Sequence, residues 1–466
     1  MKARDLRKLG LASGDDLALA LRLVGVARTA GLSTGEIRRR LRAVIADPAA
    51  HRRDAHFGEL ARSLDPGDLE HPRRFAERPE PAPWRRWGDD LDAESIRQME
   101  NACRLPVSVS GALMPDAHVG YGLPIGGVLA TDKAVIPYAV GVDIACRMRM
   151  SVLDLPATAL TSDRDRLRTV LQQETRFGIG AAFRRPHDHP VMDEDWGTSP
   201  VTSRMKDKAW RQLGTSGSGN HFVEFGVLTL DRSELGLEPG RYLALLSHSG
   251  SRGTGAAVAA HYSKLAMRRH PELPRELRHL AWLELDSDPG REYWRAMELM
   301  GRYAAANHAV IHREILRAMR AGPVAEIENH HNFAWIERHE GRDVVVHRKG
   351  ATPAGEGVLG VIPGSMATPG FVVRGRGSRA SLRSAAHGAG RVMSRKAAKS
   401  TLSWSDMRHE LDARGVELLS AGLDEAPAVY KDIEAVMSAQ QDLVEVVARF
   451  DPRIVKMAPP GERPED

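Results

Sequence analysis

Tyr242-Leu243-Ala244-Leu245-Leu246 runs directly into Ser247-His248-Ser249-Gly250-Ser251-Arg252-Gly253. The first part is a short apolar run bounded by turn-forming residues, which reads as a strand. The second part sets a histidine in a glycine-serine loop, where backbone N–H groups are free to cradle an anion. The same alternation recurs from about Ile96 onward. Val135–Val142 and Val344–Val346 are further short apolar runs expected to be strands, again beside loops rich in Gly, His and Ser. Longer helical patterns fall at Arg291–Met319 and Glu425–Phe450. Strands and helices interleave without a clean βαβ period, so the expected fold class is α+β (mixed α/β).

The chain has 466 residues, 42% of them hydrophobic, which is enough for a substantial core and excludes a disordered or fibrous protein. A formal net charge of +5 permits a nucleic-acid partner without demanding one. Cys103 and Cys146 are the sole cysteines. They form no disulfide framework, and a reducing, cytoplasmic setting is expected. No uninterrupted apolar stretch approaches the ~20 residues of a membrane span, so no membrane association is expected.

Residues 1–65 read as a separate helical extension. Lys2, Arg4, Arg7 and Lys8 precede an apolar run from Leu17 to Val26, the order found in export signals. Asp15, Asp16 and Arg22 interrupt that order, and the spacing is that of an amphipathic helix ending at Gly31. Ser33 and Glu36 form a capping box for a second helix, which Asp47-Pro48 ends. Its Arg38-Arg39-Arg40 run is expected on the solvated face. Residues 66–95, dense in Pro, Arg and Glu with Trp84 and Trp87, suit a linker or extended arm. The main body is expected over 96–457, followed by a flexible tail over 458–466.

Potential ligands for metals and phosphates concentrate in short motifs. These are Met114-Pro115-Asp116-Ala117-His118, Gly141-Val142-Asp143-Ile144-Ala145-Cys146, Ser218-Gly219-Asn220-His221 and Glu328-Asn329-His330-His331-Asn332, besides the loop around His248. Asp, Cys and His side chains can donate a lone pair to a divalent ion, and a thiolate can bridge two. Taken singly, each is as well explained by the core: cysteine is commonly buried and inert. Their co-occurrence carries the reading. By chemistry alone the set suits zinc at least as well as any other metal. Further along, His347-Arg348-Lys349-Gly350 is a basic run, and Pro363-Gly364-Ser365-Met366-Ala367-Thr368 is a turn able to wrap a phosphate. In His387-Gly388-Ala389-Gly390-Arg391, two glycines clear space around an imidazole beside an arginine.

Together, in this order from about Ile96 to Lys456, these motifs resemble the RtcB family of RNA ligases. The resemblance implies an enzyme that joins RNA ends bearing a 2′,3′-cyclic phosphate or 3′-phosphate to 5′-hydroxyl ends, in RNA repair or tRNA splicing. It implies GTP as co-substrate, two manganese ions, and a covalent GMP adduct on His387. The family's metal ligands fall on Asp143, Cys146, His221, His248 and His331, with Cys146 as the bridge. Asn220 matches a contact to the guanylate phosphates, Glu224 the residue that reads guanine, and Tyr430 part of the nucleotide site. Ser365, Ala389 and Gly390 match phosphate-binding turns, while Asp116, His118, Arg348 and Arg391 are placed near the site. The family commonly ends in Lys-Gly, whose lysine contacts guanine; the matching residue here is Lys456, followed by Met457. A monomer is expected, with an archease-type activator as a candidate partner. An enzyme that guanylylates RNA 3′-phosphates without joining them would carry the same motifs. A non-catalytic relic would have lost His387 or a ligand, and none is lost.

Overall fold

The computed structural model describes residues 2–11, 15–64 and 75–462. The chain divides into two compact units, Met1–Pro72 and Arg73–Asp466. In the first, the helices Ala3–Arg7, Asp15–Thr29, Thr34–Ala46 and Gly58–Leu64 enclose a core that includes Leu6, Leu23, Ile37, Leu41, Val44 and Phe57. The capping box forms as expected: Ser33 Oγ accepts from the Glu36 N–H at 3.3 Å, and Glu36 accepts from the Ser33 N–H at 3.0 Å. Arg38 and Arg39 face solvent, and Arg40 pairs with Asp54 at 3.4 Å.

The second unit is a mixed α+β body. A five-stranded sheet runs in the order Trp84–Arg86, Ser108–His118, Ile125–Thr131, Arg342–Lys349, Phe333–His339. A larger sheet runs Leu359–Ile362, Gly370–Gly375, Val444–Met457, Phe222–Leu230, Gly240–Ser249, Arg147–Pro156, Pro323–His330, with Glu417–Ser420 pairing in parallel to Val444–Met457. Helix Asp288–Met319 buries Ile311 and Ile315 against Leu243 and Leu245 of the larger sheet. Within the expected arm, Trp84–Arg86 pairs with the strand Ser108–His118, and Trp87 Nε1 donates to Asp442 at 3.0 Å; positions 66–74 lie outside the described residues. Of the expected tail, positions 463–466 likewise lie outside them, and the Glu462 carboxylate accepts from the Ile179 N–H at 3.3 Å. Among the described residues no helix is long and apolar enough to cross a membrane.

Two expectations about elements are corrected. Val135–Val142 is not one strand: Ala134–Val135 pairs with Leu283–Glu284, and Pro137–Val140 is a helical turn. Pro137, in the first turn, has the φ a helix start needs and lacks an N–H that would go unpaired there. Glu425–Phe450 is not a helix throughout. Only Ile433–Ser438 is α-helical, and Val444–Met457 is a long strand between Gly370–Gly375 and Phe222–Leu230. Its valines pack better in a sheet, where two flanking strands satisfy its backbone.

Candidate active site

Four adjacent strands of the larger sheet end at one place. Cys146 immediately precedes Arg147–Pro156, His221 precedes Phe222–Leu230, His331 follows Pro323–His330, and His248 is the penultimate residue of Gly240–Ser249. Register aligns them, since Met148 and Phe222 both pair with His248 while Arg147 pairs with His330. Sheet pairing thus gathers residues that lie far apart in the chain.

Their side-chain atoms converge. Asp143 Oδ2 lies 3.0 Å from His221 Nε2, and His248 Nε2 lies 3.1 Å from His331 Nε2. Cys146 Sγ stands between the two pairs, 3.4 Å from His221 Nε2 and 3.1 Å from His248 Nε2. All five residues are buried. Burial holds His248 down to about 3 and His331 well below the usual imidazole range, so both rings are neutral with lone pairs available. Burial opposes the charged form of Asp143, but the hydrogen bonds from His221 and Cys146 and the charge of Arg252 together leave its pKa lowered. His248 Nδ1 donates to the Asn220 carbonyl at 3.0 Å, which turns Nε2 inward. Asp143 Oδ1 accepts from the Ser251 N–H at 3.2 Å.

His387 adjoins this cluster, its ring centroid 4.8 Å from that of His331. Asp116, fully buried, accepts from His387 Nδ1 at 2.7 Å and from the His387 N–H at 3.1 Å. A proton on Nδ1 leaves Nε2 as the basic nitrogen, the tautomer a nucleophilic imidazole needs. Lys431 braces the segment that carries Asp116 by donating to the carbonyls of Pro115 and Ala117, at 3.0 and 3.1 Å. Gly390, at φ +75°, passes so close to Asp116 that a Cβ would lie 2.1 Å from its carbonyl oxygen.

A cavity of about 900 Å³ opens over these groups. Asn220, Glu224, Ser365, Ala389, Gly390 and Tyr430 all line it, together with His118 and Arg391. Burial raises the Glu224 carboxyl well above the usual carboxylate range. Ser365 shapes its turn through an N–H donated to Thr368 Oγ1 at 2.7 Å. Lys456 is not brought to the cavity. Its neighbours Val455 and Met457 line the wall, while Lys456 Nζ donates to the carbonyls of Leu171 and Gln172 at 3.0 and 3.1 Å. Arg348 is also set apart, as a buried brace bonded to Ser384 at 2.8 Å and Glu337 at 2.6 Å.

Glu425 and Lys349 line the cavity but were given no role from the sequence. Glu425 accepts hydrogen bonds from Tyr430 and Arg395 and pairs with Arg391 at 3.4 Å, tying three elements of the wall together. Lys349 was legible only as one of three basic residues. It reaches the cavity with its Nζ on the Tyr121 carbonyl at 2.7 Å, and burial pushes its pKa down to about 7.

A sequence model of one family, described as tRNA-splicing ligase RtcB, matches residues 98–457. The chain belongs to the RtcB family. The RNA-splicing ligase RtcB of Escherichia coli K12 is 33% identical over 400 residues, covering 79% of this chain and 95% of that protein. The tRNA-splicing ligase RtcB of Thermococcus kodakarensis is 31% identical over 451 residues, covering 79% and 93%. The RNA-splicing ligase RtcB of Mycobacterium tuberculosis is 32% identical over 430 residues, covering 76% and 98%. The RtcB match therefore takes in every cavity residue named above.

Proposed function

We propose that this RtcB-family protein is a GTP- and manganese-dependent RNA ligase joining 2′,3′-cyclic phosphate or 3′-phosphate ends to 5′-hydroxyl ends. The observation that carries the proposal is His387 held by Asp116 as an Nδ1–H tautomer, beside a converging Asp/Cys/His set. Cys146, His221 and His248 bring their donor atoms within 4.8 Å of one another, and Asp143 and His331 join them on either side, which fits divalent cations. Asp143 and His221 form one pair, His248 and His331 a second, and Cys146 faces both; these residues would hold two ions. The metal would supply Lewis-acid stabilisation of the charge that develops on phosphate oxygens. Manganese rather than zinc follows from the family.

The residues then have defined tasks. His387 Nε2 attacks the α-phosphorus of GTP, forming a P–N bond as pyrophosphate departs. Asp116 keeps the Nδ1 proton in place and stabilises the charge on the ring. The RNA 3′-phosphate takes GMP from His387, and the 5′-hydroxyl displaces GMP to form the phosphodiester. Capping gives the monoester a leaving group, dividing a hard displacement into easier ones. Asn220, Ser365, Ala389 and Gly390 would cradle the phosphates, with Glu224 and Tyr430 toward the nucleoside. Residues 96–457 would form the catalytic domain, with 1–65 as an extension to it.

Incubation with GTP, manganese and RNA halves carrying 3′-phosphate and 5′-hydroxyl ends tests the joining step. Joined RNA is expected. Accumulation of a GMP-capped 3′ end without joined product would contradict ligation and make this a capping enzyme.

A further inference from the structure

Tyr121 is 67% exposed, yet its backbone is tightly fixed. Gln98 clamps the adjacent Gly120 from both sides, donating to its carbonyl at 2.7 Å and accepting from its N–H at 3.0 Å. Lys349 Nζ holds the Tyr121 carbonyl at 2.7 Å. Gly122, at φ +73°, lies so close to His279 that a Cβ would come within 2.9 Å of that side chain. The ring itself is braced along one side, edge-on to Tyr138 at 6.3 Å between centroids and tilted against His279 at 5.6 Å.

A pinned loop that presents an aromatic ring to solvent gains nothing from hydrophobic burial in the free protein. The ring also stands where a substrate must pass, because Tyr121, Tyr138 and Lys349 line the same cavity as His387. Lys349 Nζ, 5.4 Å from the Tyr138 ring centroid, adds a hydrogen-bond donor next to the aromatic surface. An exposed aromatic ring fixed in a substrate cavity is a surface on which a base of single-stranded nucleic acid stacks. We propose that Tyr121 is a stacking platform for the terminal base of an RNA end held beside His387. This rests on the RNA-ligase reading and adds a contact that is indifferent to base identity, since every base has a π-face.

The test uses the full chain with RNA halves whose terminal nucleotide is abasic at the 3′-phosphate end, at the 5′-hydroxyl end, or at neither. For the parent, removing the base from one of the two ends raises the KM for RNA about tenfold, the order of one lost base stack. Tyr121→Ala shows a comparable rise with intact ends and no further penalty from the abasic end. Tyr121→Phe keeps the ring and behaves as the parent, which separates stacking from damage to the loop. A parent indifferent to both abasic ends overturns the platform, as does a Tyr121→Ala variant that still pays the full abasic penalty. A Tyr121→Ala variant that instead needs more GTP for labelling while retaining the abasic penalty would assign the ring to the nucleotide and also overturn it. GTP labelling of the parent without RNA is scored in the same preparations. Its absence sinks the ligase reading, whereas a labelled parent indifferent to abasic ends sinks only the platform.

Discussion

Glu224 and Lys349 share the cavity wall, and burial drives both toward their neutral forms: Glu224 is raised well above its ordinary range and Lys349 is lowered to about 7. For Lys349 the consequence for stability has a definite sign. Its folded pKa lies below the ordinary 10.5, so between about 7 and 10.5 the unfolded chain holds a proton that the folded chain does not. Stability from this group therefore rises with pH across that window, by at most about 1.4 kcal/mol per pH unit. Below about 7 both states are charged and the cost of burying the ammonium is fully felt. Lys349→Met should be more stable than the parent below neutrality, with the gap closing toward pH 10.5. Denaturant unfolding of both proteins at several pH values checks this, and a gap that does not change with pH would contradict it. Lys456, lowered to about 8 chiefly by burial, is common to both proteins and cancels in the comparison. At this scale the residues of the Asp/Cys/His cluster were legible because those side chains, in short motifs, advertise their chemistry. Asp116 was legible only as a neighbour, since its partner His387 is 271 positions away. Glu425 was not legible at all: an acidic residue before Ala-Pro has no pattern until Tyr430, Arg391 and Arg395 fold around it.

Among elements, strand ends and the loops that follow them make the site. Gly250 follows the strand Gly240–Ser249 because the carboxylate of Asp143 occupies the space where a side chain would go. A Cβ there would lie 2.1 and 2.2 Å from the two Asp143 oxygens. Gly250→Ala must push that carboxylate aside, and overpacking of this kind costs about 1–3 kcal/mol. The expected outcome is a folded protein that binds less metal than the parent, measured by elemental analysis after manganese loading and desalting. Unchanged metal content would contradict the position given to Asp143. The strand Tyr242–Leu246 was legible because its apolar run stops at small residues, and helix Asp288–Met319 because its periodicity is long. Val444–Met457 was hidden because its valines also fit a helical stripe, and only the two flanking strands decide between them. Lys456, matched to the family's terminal lysine, lies on the same strand. On a strand, alternation sends Val455 and Met457 to the cavity and Lys456 to the opposite face, where it caps helix Arg164–Glu174.

At the scale of the whole molecule, every residue given a role belongs to the unit Arg73–Asp466, which coincides with the part of the chain that carries the motifs. Two helices of the unit Met1–Pro72, Asp15–Thr29 and Thr34–Ala46, were legible from a cap and apolar spacing, because local signals suffice for helices. The site was legible from motif order, whereas its pairing into Asp143–His221 and His248–His331 across Cys146 required the sheet register. The central claim is that this assembly makes His387 a nucleophile toward GTP. It is tested most directly by incubating the full chain with α-labelled GTP and manganese, then exposing the product to acid and to alkali. The parent should carry label through an acid-labile, alkali-stable bond, and His387→Ala should carry none. A His387→Ala protein that labels as strongly as the parent would contradict the claim.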